Sequence, residues 1–178
     1  MLAFSEEATL WVVFEGITSV DIVYMTVEDV FLFLERCPNV VELALEQLET
    51  SYADQQTGNE RSLAFSNGLT LQSVQSVKLS FLIDAYHDDT PTTFTIMILD
   101  RLTLPSLASL TLENRFPSPD TVLSTLRHCP MPVDQLAGLI SRSRYNITSL
   151  KFDNMPMSKA TLDDLLRLTP SLIDLNLA

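Results

Sequence analysis

Cysteine, glycine, histidine and positive charge are all scarce in this chain: 178 residues carry two Cys, four Gly, two His and 11 Lys or Arg against 23 Asp or Glu. Each scarcity excludes something. Two thiols, Cys37 and Cys129, cannot build a disulfide scaffold. Each stands before a proline at the end of a helical run, Arg36-Cys37-Pro38 and His128-Cys129-Pro130. Both are therefore expected to be buried, reduced thiols in separate units, which suits the cytoplasm or nucleus. The formal charge of −12 disfavours nucleic acid and anionic lipid, because both are held by clustered Lys and Arg that displace counterions. No apolar run approaches the ~18 residues of a membrane helix, and no basic n-region with an apolar h-region opens the chain. Neither nucleic acid nor membrane is expected as a partner.

Catalytic equipment is equally thin. There is no Gly-x-Ser-x-Gly, no glycine-rich phosphate loop and no Cys-x-x-Cys. His128 ends a helical run, where an imidazolium favours the helix dipole. His87, in Asp84-Ala-Tyr-His87-Asp88-Asp89, is the one place where a metal-dependent or hydrolytic activity could be centred, against the simpler reading of a solvated loop. The expectation is of a chain without catalytic residues, without a metal site and without a cofactor.

What the chain does have is a repeated phrase: an apolar residue, two of any kind, an apolar residue, one of any kind, an apolar residue. It occurs at Val40, Leu43, Leu45; Val74, Val77, Leu79; Leu107, Leu110, Leu112; Ile147, Leu150, Phe152; and Leu172, Leu175, Leu177, with a fainter copy at Ala8, Trp11 and Val13. The first positions step by 34, 33, 40 and 25 residues. Alternating apolar residues make a half-buried strand, and the steps leave room for a crossover helix between parallel strands. Start and stop signals mark such helices. Thr26 with Asp29 can cap a run over 27–36 whose Val27, Val30, Phe31 and Leu34 share a stripe. Thr90-Pro91 opens one carrying Phe94, Ile98 and Leu102; Ser118 opens one carrying Val122, Leu123 and Leu126; Thr161 with Asp164 opens one carrying Leu162, Leu165 and Leu166. Pro38, Pro105 and Pro170 each stand two residues before a strand phrase, so the chain re-enters the sheet alike three times.

The fold class expected is α/β: a leucine-rich-repeat-like solenoid of parallel strands with helices on one face and irregular repeats, forming one domain over 1–178. The 107-to-147 step holds two helical runs, 118–129 and about 134–143 (Leu136, Leu139, Ile140), and Pro132 between them argues against a strand. Residues 50–70 and 84–91 read as surface excursions. Both ends look cut, since Leu10 to Phe14 is apolar on both faces and the chain stops at Ala178 just after Leu177.

On such a sheet the residues between the apolar ones face outward in columns. The columns read Glu42, Ser76, Ser109, Ser149, Asp174; Ala44, Lys78, Thr111, Lys151, Asn176; and Glu46, Ser80, Glu113, Asp153. Candidate partner-binding residues are Glu42, Glu46, Lys78, Ser109, Thr111, Glu113, Lys151 and Asp153, a mixed-charge surface suited to a protein ligand. Residues 1–60 hold twelve acids and a single base, Arg36, and can be a docking face for a basic partner or a solvated surface.

The phrases around Glu35 to Leu45, Leu104 to Leu112, Ile140 to Leu150 and Leu166 to Leu177 resemble the leucine-rich-repeat-like region of F-box proteins of mushroom-forming fungi. The likeness spans roughly 35–178, and the Arg142-Ser143 pair followed by the Ile147 strand is its most specific part. The resemblance implies a repeat region that holds the substrate of a cullin ubiquitin ligase. The F-box that would bind the ligase adaptor is missing from this chain, so the adaptor is not expected as a direct partner. Regular leucine-rich repeats also carry an asparagine three residues after the last strand leucine, where this chain has Leu48, Leu82, Arg115 and Met155.

Overall fold

A computed structural model describes residues 13–46, 68–82, 97–115, 133–143, 146–155 and 157–178. Its main sheet has six strands: β1 (Ser19–Val23), β2 (Glu42–Glu46), β4 (Ser76–Leu82), β6 (Ser109–Arg115), β7 (Ser149–Asp153) and β8 (Asp174–Leu177). They lie in that order, every pair is parallel, and the sheet does not close into a barrel. A second, two-stranded parallel sheet joins β3 (Leu69–Thr70) to β5 (Leu102–Thr103). The described helices are α1 (Val27–Leu34), α2 (Val133–Arg142) and α3 (Lys159–Leu168), with a helical stretch at 97–101.

The repeated phrase sets the register. Leu43, Val77, Leu110, Leu150 and Leu175 are partners across the sheet, as are Leu45, Leu79, Leu112, Phe152 and Leu177. One slip would turn every leucine outward, so burial of one face fixes the pairing. These residues, apart from the edge-strand pair Leu175 and Leu177, share one core with Val27, Val30, Phe31 and Leu34 of α1, Leu136, Leu139 and Ile140 of α2 and Leu165 of α3.

Three strands, β2, β6 and β8, are entered through one device. The turns Cys37 to Val40, Leu104 to Leu107 and Thr169 to Leu172 are closed by an N–H to carbonyl bond of 3.4, 3.0 and 3.1 Å. Proline occupies the second position of all three, where its fixed φ suits a β-turn. Just beyond, one carbonyl of the preceding strand accepts two successive N–H groups of the next: Thr18 from Val41 and Glu42, Val41 from Gln75 and Ser76, Gln75 from Ala108 and Ser109, Ala108 from Thr148 and Ser149, and Thr148 from Ile173 and Asp174.

Several expectations change. The sixth described strand is β1; of the fainter copy at Ala8, Trp11 and Val13 the first two lie outside the described residues, and Val13 is exposed and precedes β1. The phrase is nevertheless present at β1 as Ile17, Val20 and Ile22, with Val20 opposite Leu43 and Ile22 opposite Leu45. Leu102 begins β5 rather than continuing a helix. The last helix starts earlier than Thr161: Ser158 is its cap, accepting the Thr161 N–H at 3.1 Å, and Leu166 is exposed while Leu165 is buried. Thr26 does cap α1, through the Asp29 N–H at 3.2 Å. β6 pairs directly with β7, so no strand lies between them in the sheet, and Val133 opens α2. Helix expectations over 90–96 and 118–129, the excursions 50–67 and 84–91, Cys129, His87 and His128 lie outside the described residues.

The missing repeat asparagine has a counterpart one residue earlier. Asn114, within β6, and Asn154, just past β7, follow Glu113 and Asp153; Asn114 Nδ2 donates to the Asn154 carbonyl at 3.2 Å, and Asn154 Nδ2 donates to the Asn114 carbonyl at 3.3 Å. Asn154 is left-handed at φ 55°, which asparagine tolerates. The Arg142-Ser143 pair ties α2 to the preceding unit: Arg142 donates to the carbonyls of Leu99 and Leu102, and the Ser143 hydroxyl accepts the Leu104 N–H at 3.2 Å.

Gly68 marks the tightest approach. A Cβ there would lie 2.8 Å from the Arg101 carbonyl oxygen, and the backbone cannot swing away because Leu69 and Thr70 are paired with Leu102 and Thr103. Gly68→Ala is expected to cost ~1–3 kcal/mol as overpacking. The measurement is a urea titration: a lower midpoint with an unchanged slope is the expected result, and an unmoved midpoint counts against the close contact.

Candidate functional site

The outward face of the six-stranded sheet is the one continuous surface built by every unit. All eight residues singled out from sequence stand on it in the expected columns: Glu42, Ser109; Lys78, Thr111, Lys151; Glu46, Glu113, Asp153. They are not independent side chains.

Glu46 on β2 and Glu113 on β6 are separated by β4, where the residue at their level is Ser80. Two strand spacings are about 10 Å, too far for a direct bond, and the small Ser80 side chain leaves the gap open. Lys78 reaches into it from one side, with Nζ 3.0 Å from Glu113 Oε2 and 3.8 Å from Glu46 Oε1. Arg115 enters from the other. Its Nη1 and Nη2 donate to Glu46 Oε2 and Oε1 at 2.7 and 2.9 Å, and its Nε stands 3.4 Å from Glu113 Oε1. Two acids and two bases thus close a neutral ring over Ser80, whose hydroxyl donates to Glu113 Oε2 at 3.0 Å. Beside the ring Lys151 pairs with Asp153 at 2.6 Å.

The ring sets ionisation. Burial pushes the Glu113 carboxyl up, but hydrogen bonds from Lys78, Ser80 and Arg115 and the charge of Lys78 together hold it below the ordinary carboxylate range. Its share of stability is present above the unfolded carboxyl value of about 4.3 and is lost as pH falls through the lower folded value. Below about pH 4.3, therefore, stability should fall less steeply in Glu113→Gln than in the parent chain. Urea midpoints measured across that acid range test this, and parallel curves would exclude a depressed carboxyl. The Lys151 ammonium is pushed up by its hydrogen bond to Asp153 and by that carboxylate's charge, with Glu113 adding.

Arg115 was hidden from sequence reasoning, although it continues the alternation Ser109, Thr111, Glu113. Ser19, Asp21 and Val23 of β1 were missed with their strand; they extend the face by one more row, Ser19 opposite Glu42 and Asp21 opposite Ala44. Ser19 Oγ donates to Glu42 Oε2 at 3.4 Å, and at the far edge Ser149 Oγ donates to Asp174 Oδ2 at 3.3 Å.

Among the described residues no group of three or more His, Cys, Asp and Glu stands together as a metal site, and no helix is long and apolar enough to cross a membrane. Cys37 is a free, buried thiol, and burial pushes its pKa up. A thiol held in its neutral form is a packing group rather than a nucleophile. The Glu113 carboxyl is committed to its bonds with Lys78, Ser80 and Arg115. No family model matches the chain, and no curated protein or solved structure does either.

Proposed function

We propose that this chain is a non-catalytic protein-interaction module, a leucine-rich-repeat-like solenoid that receives a protein partner on the outward face of its strands. The observation that supports this best is the register: equivalent outward positions of six successive strands fall in line, so the units jointly present one surface. The Glu46, Lys78, Glu113 and Arg115 ring keeps that surface polar and rigid, as a preorganised docking face needs. The resemblance to fungal F-box proteins extends the proposal to a class of partner, the substrate of a ubiquitin ligase, and a cytoplasmic or nuclear setting agrees with the buried free thiol of Cys37.

Two experiments test the two levels. Thr111 lies between Lys78 and Lys151 in a single column, so Thr111→Arg places a long charged side chain in the middle of the face. It is expected to weaken capture of identified partners at least about tenfold, whereas Asp163→Lys on the exposed side of α3 leaves capture unchanged. Full capture by the Thr111 variant would overturn the binding face. For the receptor reading, the transcript upstream of Met1 should encode an F-box in the same frame; a transcript without one removes the ligase role and leaves the interaction role standing.

A further inference from the structure

We infer that the partner is engaged at the β1–β2 end of the sheet face, through a basic segment of polypeptide whose Lys or Arg lies over Val23, beside the exposed Tyr24, and points its charge at Asp21, with Glu42 the next carboxylate along the face. The inference rests on the binding-face reading above and adds the location and the chemistry of the partner.

All three bases of the face are neutralised internally: Lys78 and Arg115 by Glu46 and Glu113, Lys151 by Asp153. Among the described residues of the face an acidic partner would find no free cation and would have to break a pair. The carboxylates are different. Asp21 has no bonding partner among the described residues, and Glu42 has only the 3.4 Å bond from the Ser19 hydroxyl. They are diagonal neighbours across β1 and β2. The face therefore carries two unspent carboxylates at this end, within the third of the chain that holds twelve acids and one base, against Asp174 alone at the far edge, which has only the 3.3 Å bond from the Ser149 hydroxyl. Complementarity selects a cation.

Exposed apolar surface beside those carboxylates narrows the choice from an ion to a side chain. Val23 alternates with the buried Val20 and Ile22, so it stands on the outward face with Asp21, and it is 42% exposed. Tyr24 follows it, 67% exposed. Tyr24 is held at φ 58°, a left-handed conformation that a bulky residue seldom adopts, and its N–H is tied to the Glu46 carbonyl at 3.3 Å. Val23 is the same-face neighbour of Asp21, with Glu42 beyond it at the level of Ser19, and an exposed valine followed by an exposed tyrosine beside a carboxylate matches the two halves of a Lys or Arg side chain, an apolar stem and a charged head. Tyrosine is also among the residues that concentrate binding energy in interfaces.

The test is selection of displayed random peptides on the intact chain, followed by binding measurements on the selected synthetic peptide. Lys or Arg next to an aliphatic or aromatic residue should be enriched. Affinity should fall at least about tenfold in Asp21→Lys and in Tyr24→Gly, and fall again when salt is raised to about 0.5 M. Tyr24→Gly removes the ring while relieving the left-handed backbone, so a loss of affinity with an unchanged urea midpoint cannot be assigned to misfolding. Selected peptides without basic enrichment, or binding that survives both substitutions but is lost in Thr111→Arg, would overturn this location and leave the binding face intact. Selection of no peptide at all overturns both.

Discussion

Leu110→Ala should lower the stability of the chain by ~2–5 kcal/mol, while Thr111→Ala one position on should change it by less than about 0.5 kcal/mol. Leu110 is fully buried at the centre of the sheet, with Val77 on one side and Leu150 on the other. Truncation removes apolar contact from two neighbouring strands at once and leaves a cavity that paired backbones cannot collapse around. Thr111 points to the other face, half-buried, and makes no side-chain bond in the ring. A urea titration of both variants measures the difference. Equal losses would mean that the strand is turned over, and every column described for the outer face would be wrong with it.

Lys78→Glu should be the most damaging change on the outer face, costing about 1–4 kcal/mol although Lys78 is partly exposed. A lone surface ion pair is worth roughly 0–1 kcal/mol, and its loss alone would pass almost unnoticed. Reversal does more than remove a pair. It sets a third carboxylate against Glu46 and Glu113, both of which are mostly shielded from solvent, and leaves Arg115 as the single cation among three anions. Two unit charges 4 Å apart interact by about 1 kcal/mol in water and about 4 kcal/mol near a protein surface, so the sign change dominates the lost contact. Lys78→Met keeps the stem and removes only the charge; its loss should stay below about 1 kcal/mol. Salt near 1 M, with a screening length of about 3 Å, should restore part of the stability of Lys78→Glu and little of that of Lys78→Met. Thermal denaturation of the three proteins at two salt concentrations decides it, and a Lys78→Glu chain as stable as its parent would sink the ring. The result also governs how binding is tested: reversal of Lys78 cannot report on a partner, because it disturbs the face itself.

The strands were legible because the same physical demand recurs. Wherever Leu, Val or Phe alternate after a turn, one face must be buried, and Leu43, Val77, Leu110, Leu150 and Leu175 fall opposite one another as alternation requires. β1 was passed over because its apolar residues are Ile17, Val20 and Ile22 among acids, while the more apolar Leu10 to Phe14 drew the reading upstream. Apolar content is a weaker guide than spacing. The start of α3 was misplaced because Ser158 and Thr161 can both cap; Ser158 wins by taking the Thr161 N–H. β3 and β5 left no signature, since two-residue strands have no period to detect and are held by position alone. The columns of the face could be read from alternation, but the ring could not. It depends on Arg115 and Lys78 reaching across two strands, which the small side chain of Ser80 permits and no spacing along the chain reveals.

The shared carbonyls at the strand entrances bear on how such a chain can change length. Thr18, Val41, Gln75, Ala108 and Thr148 each hold the next strand through a backbone carbonyl and two backbone N–H groups, with a side chain adding a bond only where the Thr148 hydroxyl also donates to the Ala108 carbonyl at 3.2 Å. Register is renewed at each entrance, and an insertion between two strands is forgotten by the time the next begins. That is how segments of such unequal length, 23 residues from Ile17 to Val40 and 40 from Leu107 to Ile147, feed strands that pair residue for residue. Descent with variation can then lengthen, trim or duplicate whole units while the outer columns stay aligned. The surface is inherited as rows, and each new row adds contacts without disturbing those already selected.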